Sequence, residues 1–112
     1  MPSGTTKRLA GPAYIASSAT DIYNCGANKY AIVKHIHIAN TDSSARTFSL
    51  YIGATGGSSG GTELEKSFSV AANSDYDRYF TGLKMAATDF LSGIASSSST
   101  LVITVTGDEY VV

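Results

Sequence analysis

The sequence has little charge, a single cysteine and no long apolar run. Only 15% of its residues are charged and the net charge is −1, which argues against a basic surface for nucleic acid. Cys25 has no partner for an intrachain disulfide. Because no histidine with an Asn or Asp lies near it in the sequence, we expect Cys25 to be a small buried side chain and not a nucleophile. No stretch approaches the ~20 consecutive apolar residues of a membrane-spanning helix.

The first residues also lack the apolar segment of a secretory signal, so we expect synthesis in a cytosol. Residues 1–6 combine Pro, Ser, Gly and Thr without apolar periodicity, which predicts a flexible N-terminal arm. The remaining residues, 7–112, fit one domain, because domains most often contain roughly 100–150 residues. A chain of this size buries about two thirds of its unfolded surface, which is enough for one modest core.

No segment of the sequence repeats its apolar residues at the spacing of a helix. Apolar and polar residues instead alternate with a period of two. Residues 30–40 alternate between apolar and polar side chains, and residues 46–54 do the same after turn-forming residues at 40–44. We therefore predict that these two strands form an antiparallel hairpin that packs on a core through one face. The apolar side of the hairpin comprises Ile32, Ile36, Ile38, Phe48, Leu50 and Ile52.

Short extended segments flank this hairpin at intervals of about 8–12 residues, the spacing of β-sandwiches and barrels. They are residues 7–16, 17–24, 62–70, 76–81, 82–86 and 101–106. Residues 107–109 predict a turn before an apolar tail. Residues 83–91 are the best candidate for a helical turn, but their Gly and Thr-Asp flanks favour a strand and a turn. The prediction is an all-β, single-domain antiparallel β-sandwich, jelly-roll-like, with about eight short strands.

His35 and His37 form the sharpest polar pair. At i and i+2 on a strand they point to the same face, about 6.6–7 Å apart, a spacing that metal sites use. A third ligand is missing, because the chain contains only these two histidines and lacks the glutamate and later histidine of a cupin-like motif. Because two ligands are too few for such a site, we expect the histidines to face solvent or a partner, with no metal and no cofactor.

The other polar patterns are weaker. Asp75 and Asp77 share a strand face, as paired carboxylates of glycosidases or calcium sites do, but the sequence shows neither a cleft nor further ligands. Glu63 and Glu65 fit the polar face of their strand. Residues 56–61 form a Gly/Ser loop that lacks the Gly-Lys-Ser/Thr and the following helix of a phosphate loop. We therefore expect no catalytic residue and no enzymatic activity.

Tyrosine is abundant, with seven residues against four phenylalanines. A flat apolar ring with a polar tip suits protein interfaces and carbohydrate stacking, and it also suits half-buried strand positions. We favour the strand explanation over the binding one. The seven are Tyr14, Tyr23, Tyr30, Tyr51, Tyr76, Tyr79 and Tyr110.

Residues 36–53 read IHIANTDSSARTFSLYIG. This stretch resembles small structural proteins of tailed bacteriophages, in which a hairpin of the pattern I-x-x-x-N-T-D/S-x-x-A-R-T-x-x-x-Y/F recurs. Residues 70–74, 83–89 and 105–110 resemble the same proteins. The resemblance implies a β-sandwich virion protein that decorates capsids or sits on tails, commonly as a trimer.

The resulting hypothesis is a non-enzymatic virion structural protein, foremost a capsid decoration (cement) subunit that stabilises the head shell. Few charges and many small polar residues are typical of a subunit that buries outer surface against its neighbours. We expect a homo-oligomer, with a trimer favoured, that contacts the major capsid protein or other virion proteins and no nucleic acid or membrane. It would be located in the virion after synthesis in the host cytoplasm. The alternatives are a tail- or fibre-associated virion protein and a carbohydrate-binding β-sandwich module.

Overall fold

The computed structural model describes residues 3–58 and 60–111 and arranges them in eight β-strands. The strands are β1 (Ser3–Tyr14), β2 (Thr20–Asn24), β3 (Lys29–Asn40), β4 (Arg46–Gly53), β5 (Glu63–Val70), β6 (Asp75–Met85), β7 (Phe90–Ala95) and β8 (Leu101–Val111). Within these residues no helix is long and apolar enough to cross a membrane. Residues 83–91 form the end of β6, a turn and the start of β7, as predicted.

The strands form two antiparallel sheets of four. The first sheet has the order β1-β8-β3-β6 and the second has the order β2-β7-β4-β5. The hydrogen-bonded pairs thus include β1 with β8, β2 with β7, β3 with β6 and β4 with β5. This nested pairing is that of a chain folded in half and then rolled up, which defines a jelly roll. The prediction of an all-β, single-domain sandwich of about eight strands is confirmed.

The predicted hairpin of residues 30–52 is wrong, because β3 and β4 lie in different sheets. The chain crosses between the sheets at Asn40, which is 3% exposed. Its side-chain amide donates hydrogen bonds to the carbonyl oxygens of Ser44, Val70 and Ala71. Alternation could not separate the two arrangements, since strands facing each other across a core also bury every second residue.

The turn after this corner is held by the side chain of Asp42. Its carboxylate accepts a hydrogen bond from Nε of Arg46 at 2.6 Å and another from the backbone N–H of Ser43 at 2.9 Å. These two bonds hold the pKa of Asp42 below its usual range, with the Arg46 bond contributing most. The segment N-T-D-S-S-A-R-T, which carries the resemblance to phage proteins, therefore builds a corner between two sheets.

The core lies between the inner faces of the two sheets, and most of its members come from alternating strand positions. The inward side chains of β8 are Leu101, Ile103 and Val105, which alternate along the strand. The remaining buried apolar residues in this cluster are Ile15, Cys25, Ala31, Val33, Ile36, Ile38, Phe48, Leu50, Val70, Met85, Leu91 and Ala95.

A bulge in β3 determines which side chains reach this core. Val33 pairs with Gly107 and His35 pairs with Thr106, which leaves Lys34 as an extra residue in β3. Odd-numbered side chains are buried before the bulge, and even-numbered ones are buried after it. Without the bulge, the two histidines would share the buried face of Val33.

Strand β8 continues to Val111, so the predicted turn at residues 107–109 is wrong. Gly107 lies where the backbone of β8 is in close contact with that of β3, and a Cβ at this position would overlap the carbonyl oxygen of Ile32. The glycine therefore permits a close backbone contact in the middle of a long strand rather than a change of direction.

Strand β1 lies at the edge of the first sheet, with irregular pairing between Arg8 and Ala13. It begins at Ser3, which pairs with Val111 of β8. Residues 3–6 of the predicted flexible arm thus belong to the first sheet, because β8 is long enough to pair with them. Met1 and Pro2 lie outside the described residues.

Candidate functional site

The outer face of the first sheet brings together polar residues from two parts of the sequence. His35 and His37 both point outward from β3, and their side chains are 26% and 35% exposed. In the pairing of β3 with β6, His35 lies opposite Tyr79 and His37 lies opposite Asp77. These four residues form one cluster, which we call the His–Asp patch.

Asp77 is the centre of the His–Asp patch. Its Oδ1 lies 2.7 Å from Nε2 of His35 and 2.7 Å from Nδ1 of His37, so one carboxylate oxygen is hydrogen-bonded to both imidazole rings. These hydrogen bonds, from His37 first and His35 second, hold the pKa of Asp77 below its usual range. The three side chains offer ligand atoms that all lie within 4.8 Å of one another.

Tyr79 supports the patch from the edge strand β6. Its ring stacks on the ring of His35 with a centroid distance of 4.2 Å and an interplanar angle of 4°. The tyrosine itself is 74% exposed. The stack restricts the orientation of the imidazole, because turning the ring would separate the two aromatic faces.

The contact between the histidines and Asp77 was not predicted from the sequence. Asp75, predicted to share a strand face with Asp77, lies opposite Ala39 and outside the His–Asp patch. The actual partners are 40 and 42 residues away in the sequence. Only the jelly-roll rule that the third strand pairs with the sixth would have placed Asp77 beside the histidines.

Glu65, expected on the polar face of its strand, joins the two sheets along the side formed by β5 and β6. Its Oε2 accepts hydrogen bonds from the hydroxyl of Tyr76 at 2.7 Å and from Arg78 at 3.1 Å. Burial, and then the bond to Glu65, raise the pKa of Tyr76 to about 12. Glu63 accepts a hydrogen bond from the backbone N–H of Gly61 at 2.8 Å. Both glutamates therefore have structural partners.

Gly56 and Gly57, at the start of the Gly/Ser loop, lie over the outer face of the second sheet. The N–H of Gly57 donates to Oγ of Ser92 at 3.0 Å and to Oδ1 of Asp21 at 3.3 Å. Ser92 in turn donates to the same oxygen of Asp21 at 2.7 Å. The amide thus points at the protein's own side chains.

Cys25 is completely buried, as predicted, at the start of the turn between β2 and β3. Burial raises the pKa of its thiol, with a smaller opposing contribution from the hydroxyl of Tyr23. A thiol with a raised pKa forms little thiolate at neutral pH. These properties fit a packed side chain and not a nucleophile.

Asp108, in the segment expected to turn, lies within β8 and joins three strands of the first sheet. It accepts a hydrogen bond from the hydroxyl of Thr6 at 2.7 Å and lies 3.0 Å from Nζ of Lys34. These partners, Thr6 before Lys34, hold the pKa of the Asp108 carboxyl below its usual range. The bulge residue of β3 is therefore tied to β8.

Glu109 joins the two sheets at the same end of the molecule. Its carboxylate accepts a hydrogen bond from the hydroxyl of Tyr23 in β2 at 2.7 Å, and this bond is the main reason that the pKa of Glu109 lies below its usual range. The ammonium groups of Lys7 and Lys29 lie 3.2 and 3.5 Å from the other oxygen. The charge of Glu109 is thus matched by its surroundings.

The tyrosines divide between packing and surface roles. Tyr51 is 5% exposed, and Tyr30 stacks on Tyr110 with a centroid distance of 4.8 Å. Tyr14 and Tyr79 are 57% and 74% exposed, which leaves their rings available for contacts with other molecules. The expectation that the tyrosines occupy ordinary strand positions therefore fits Tyr51, Tyr30 and Tyr110 but not Tyr14 and Tyr79.

No family model matches the chain, and no curated protein matches it in sequence. Several solved structures match it in fold. A chain of the infectious bursal disease virus VP2 subviral particle aligns with a TM-score of 0.55 and 10% identity, over 98% of this chain and 32% of that chain. A chain of the T13 particle of the same virus aligns with a TM-score of 0.57 and 8% identity, over 98% and 31%.

A second kind of protein aligns equally well. A subunit of Bacillus endospore appendages, described as a novel family of disulfide-linked pili, aligns with a TM-score of 0.56 and 15% identity. The alignment covers 100% of this chain and 91% of that chain. This chain therefore spans about a third of the viral chains and nearly all of the pilus subunit. Its fold is similar to that of viral capsid proteins and of a pilus subunit, and the narrower resemblance to tailed-phage proteins stays a prediction.

Proposed function

We propose that this protein is a non-enzymatic structural subunit of a virion and, more narrowly, a capsid decoration (cement) protein that stabilises the head shell. The observation that carries the proposal is the jelly roll, since 98% of the chain superimposes on chains of virus particles. Jelly rolls recur in viral capsids because two packed sheets form a rigid block whose faces and edges contact neighbouring blocks.

The surface of the molecule supports an assembly role. Exposed apolar or aromatic side chains lie on three edge strands, at Tyr14 in β1, Phe68 in β5 and Tyr79 in β6. Exposed apolar side chains on an edge favour association, because an edge also has unpaired backbone groups. In the proposed assembly these edges contact the major capsid protein or further copies of the chain, with a trimer as the favoured oligomer.

The proposal is tested on particles from a host that carries the gene. Immunogold electron microscopy with an antibody against this protein should label heads, and particles from a deletion strain should release DNA at a lower temperature than intact particles. Label on tails or fibres would support the tail-associated alternative. Purified particles that contain no copies of the protein would contradict any role in the virion.

A pilus-like fibre subunit is the second candidate, because the appendage subunit matches this chain over nearly its whole length. The only cysteine in the chain, Cys25, is 0% exposed, so a fibre of this protein would be held together by non-covalent contacts. Electron microscopy of the concentrated protein distinguishes the two candidates. Fibres that form in the presence of a reductant and with the Cys25→Ser variant would favour the pilus, and discrete oligomers would favour the decoration protein.

A further inference from the structure

We propose that His35, His37 and Asp77 together bind one divalent transition-metal ion on the outer face of the first sheet. Two imidazole nitrogens and one carboxylate oxygen are a ligand set that Zn²⁺ and Fe²⁺ sites use in proteins. The expectation of no metal depended on the absence of a third ligand near the two histidines. The pairing of β3 with β6 supplies that ligand as Asp77.

The spacing of the three side chains fits an ion. Oδ1 of Asp77 lies 2.7 Å from a ring nitrogen of each histidine, and all three ligand atoms lie within 4.8 Å of one another. Bonds of about 2.0–2.1 Å in tetrahedral geometry place ligand atoms roughly 3.3–3.5 Å apart. Small side-chain rotations, of about 1 Å per group, therefore convert the hydrogen-bonded cluster into a coordinating one, with the ion replacing the bridging protons.

The sheet holds these ligands in place before any ion arrives. His35 and His37 lie on β3, which is hydrogen-bonded to β8 on one side and to β6 on the other. Tyr79 restricts the ring of His35 by stacking on it. Ligands on paired strands are more precisely positioned than ligands on loops, so little conformational entropy is lost when the ion binds.

The electrostatic surroundings also favour a cation. Lys34 is the lysine adjacent to His35 in the sequence, and its Nζ lies 3.0 Å from Asp108, so its charge is already matched. The three ligand side chains are between 26% and 40% exposed, so the remaining coordination positions face solvent. A site with three protein ligands and open positions retains water, as catalytic and exchangeable zinc sites do.

The proposal is tested with the untagged protein, because a histidine tag would itself bind the probe metal. Titration calorimetry with Zn²⁺ should show one ion per chain, and Co²⁺ should produce visible absorption bands of nitrogen- and oxygen-ligated cobalt. Asp77→Asn and His37→Ala should each weaken Zn²⁺ binding by more than about 100-fold, since even partners outside the coordination sphere change affinity 10–100-fold. The matched control is Asp75→Asn, on the same strand and face but outside the patch, which should bind Zn²⁺ as the unaltered protein does.

Two results would overturn the proposal. Absence of both the Zn²⁺ heat and the Co²⁺ bands would mean that the His–Asp patch is a hydrogen-bonded cluster only. Zn²⁺ binding that survives in both Asp77→Asn and His37→Ala would place the metal elsewhere. Circular dichroism of each variant shows whether its fold is retained. Neither result affects the proposed virion role, because that proposal depends on assembly and not on a metal.

Discussion

The two sheets of this sandwich have similar inner faces and very different outer faces. The outer face of the first sheet has the His–Asp patch and the Lys34–Asp108 ion pair. The outer face of the second sheet has small hydroxyl residues, and Ser49 and Ser92 are only 6% and 1% exposed. A loop of the same chain covers part of this second face through the bonds of Gly57.

This difference shows which surface is available to other molecules. Both inner faces serve the core, so neither can have a second role without loss of stability. The second outer face is partly occupied by its own loop. On the first outer face, the side chains of His35, His37 and Asp77 are between 26% and 40% exposed, so a ligand of the folded protein has access to them.

The largest expected loss of stability comes from removing a large side chain from the core between the two sheets. Phe48 is 1% exposed, and its ring lies 5.0 Å from that of Tyr76 and 5.8 Å from that of Phe68. Phe48→Ala should lower the free energy of unfolding by about 3–5 kcal/mol, because it leaves a cavity between the sheets. Urea denaturation followed by tyrosine fluorescence measures this, since the chain has no tryptophan.

The matched control for Phe48 is Phe68→Ala, in the same aromatic cluster but 41% exposed. Its expected cost is about 1 kcal/mol, because much of its ring is already in contact with water. Equal losses for the two variants would show that Phe68 is buried in solution by another copy of the chain.

The next largest effect should come from the corner that joins the sheets. Asn40→Ala removes the donor to three carbonyl oxygens near a buried position and should cost about 2–4 kcal/mol, because buried groups lose their partners. Asn24→Ala is the control: Asn24 donates to the carbonyl oxygens of Thr88 and Asp89, but these bonds are exposed, so water replaces them. Thermal unfolding of both variants should show a clearly larger loss for Asn40. A similar loss would mean that the corner contributes no more than an exposed turn.

A smaller change should expose the second outer face selectively. Ser92→Ala removes the hydroxyl that bonds to Gly57 and Asp21, at a cost of about 1 kcal/mol. Hydrogen exchange at the Gly57 amide should accelerate, while exchange in β3 stays unchanged. Ser69→Ala, on the same face but exposed, should alter neither. Faster exchange in both sheets would mean that the loop stabilises the whole sandwich and not one face.

The smallest effect concerns the charges at one end of the first sheet and depends on pH. The pKa of Glu109 lies below its usual value of 4.5, so its interactions stabilise the fold above that pH and are lost as the pH falls through the lowered pKa. Acidification from pH 6 to pH 3 should therefore lower the melting temperature, and less so in Glu109→Gln. Identical pH profiles for the two proteins would contradict this account.

Local features of the sequence predicted the kind of structure well. The inward residues of β8 follow from alternation, as does the placement of both histidines on the face opposite Ile36 and Ile38, and the strand number follows from turn spacing. The pairing of strands within each sheet did not follow from these local features. Residues 30–52 were assigned to one sheet because alternation reports burial on one side and not the identity of the neighbouring strand.

Only part of the candidate site could be predicted, because local patterns do not reveal which strands pair. His35 and His37 are two residues apart, so their shared face follows from strand geometry alone. Asp77 joins them only through long-range pairing, and the bulge at Lys34 that keeps them off the core is not visible in any local pattern. Such irregularities depend on the register of both partner strands, which one strand's sequence does not contain.

The nested pairing of the strands has a consequence for how the chain is made. The innermost pair, β4 with β5, joins neighbours in the sequence, whereas β1 pairs with β8, close to a hundred residues away. Because β8 lies between β1 and β3, the first sheet cannot close until the ribosome has synthesised and released β8. Until then β1 has no partner strand, so completion of the fold is a late and comparatively slow event in the life of each molecule.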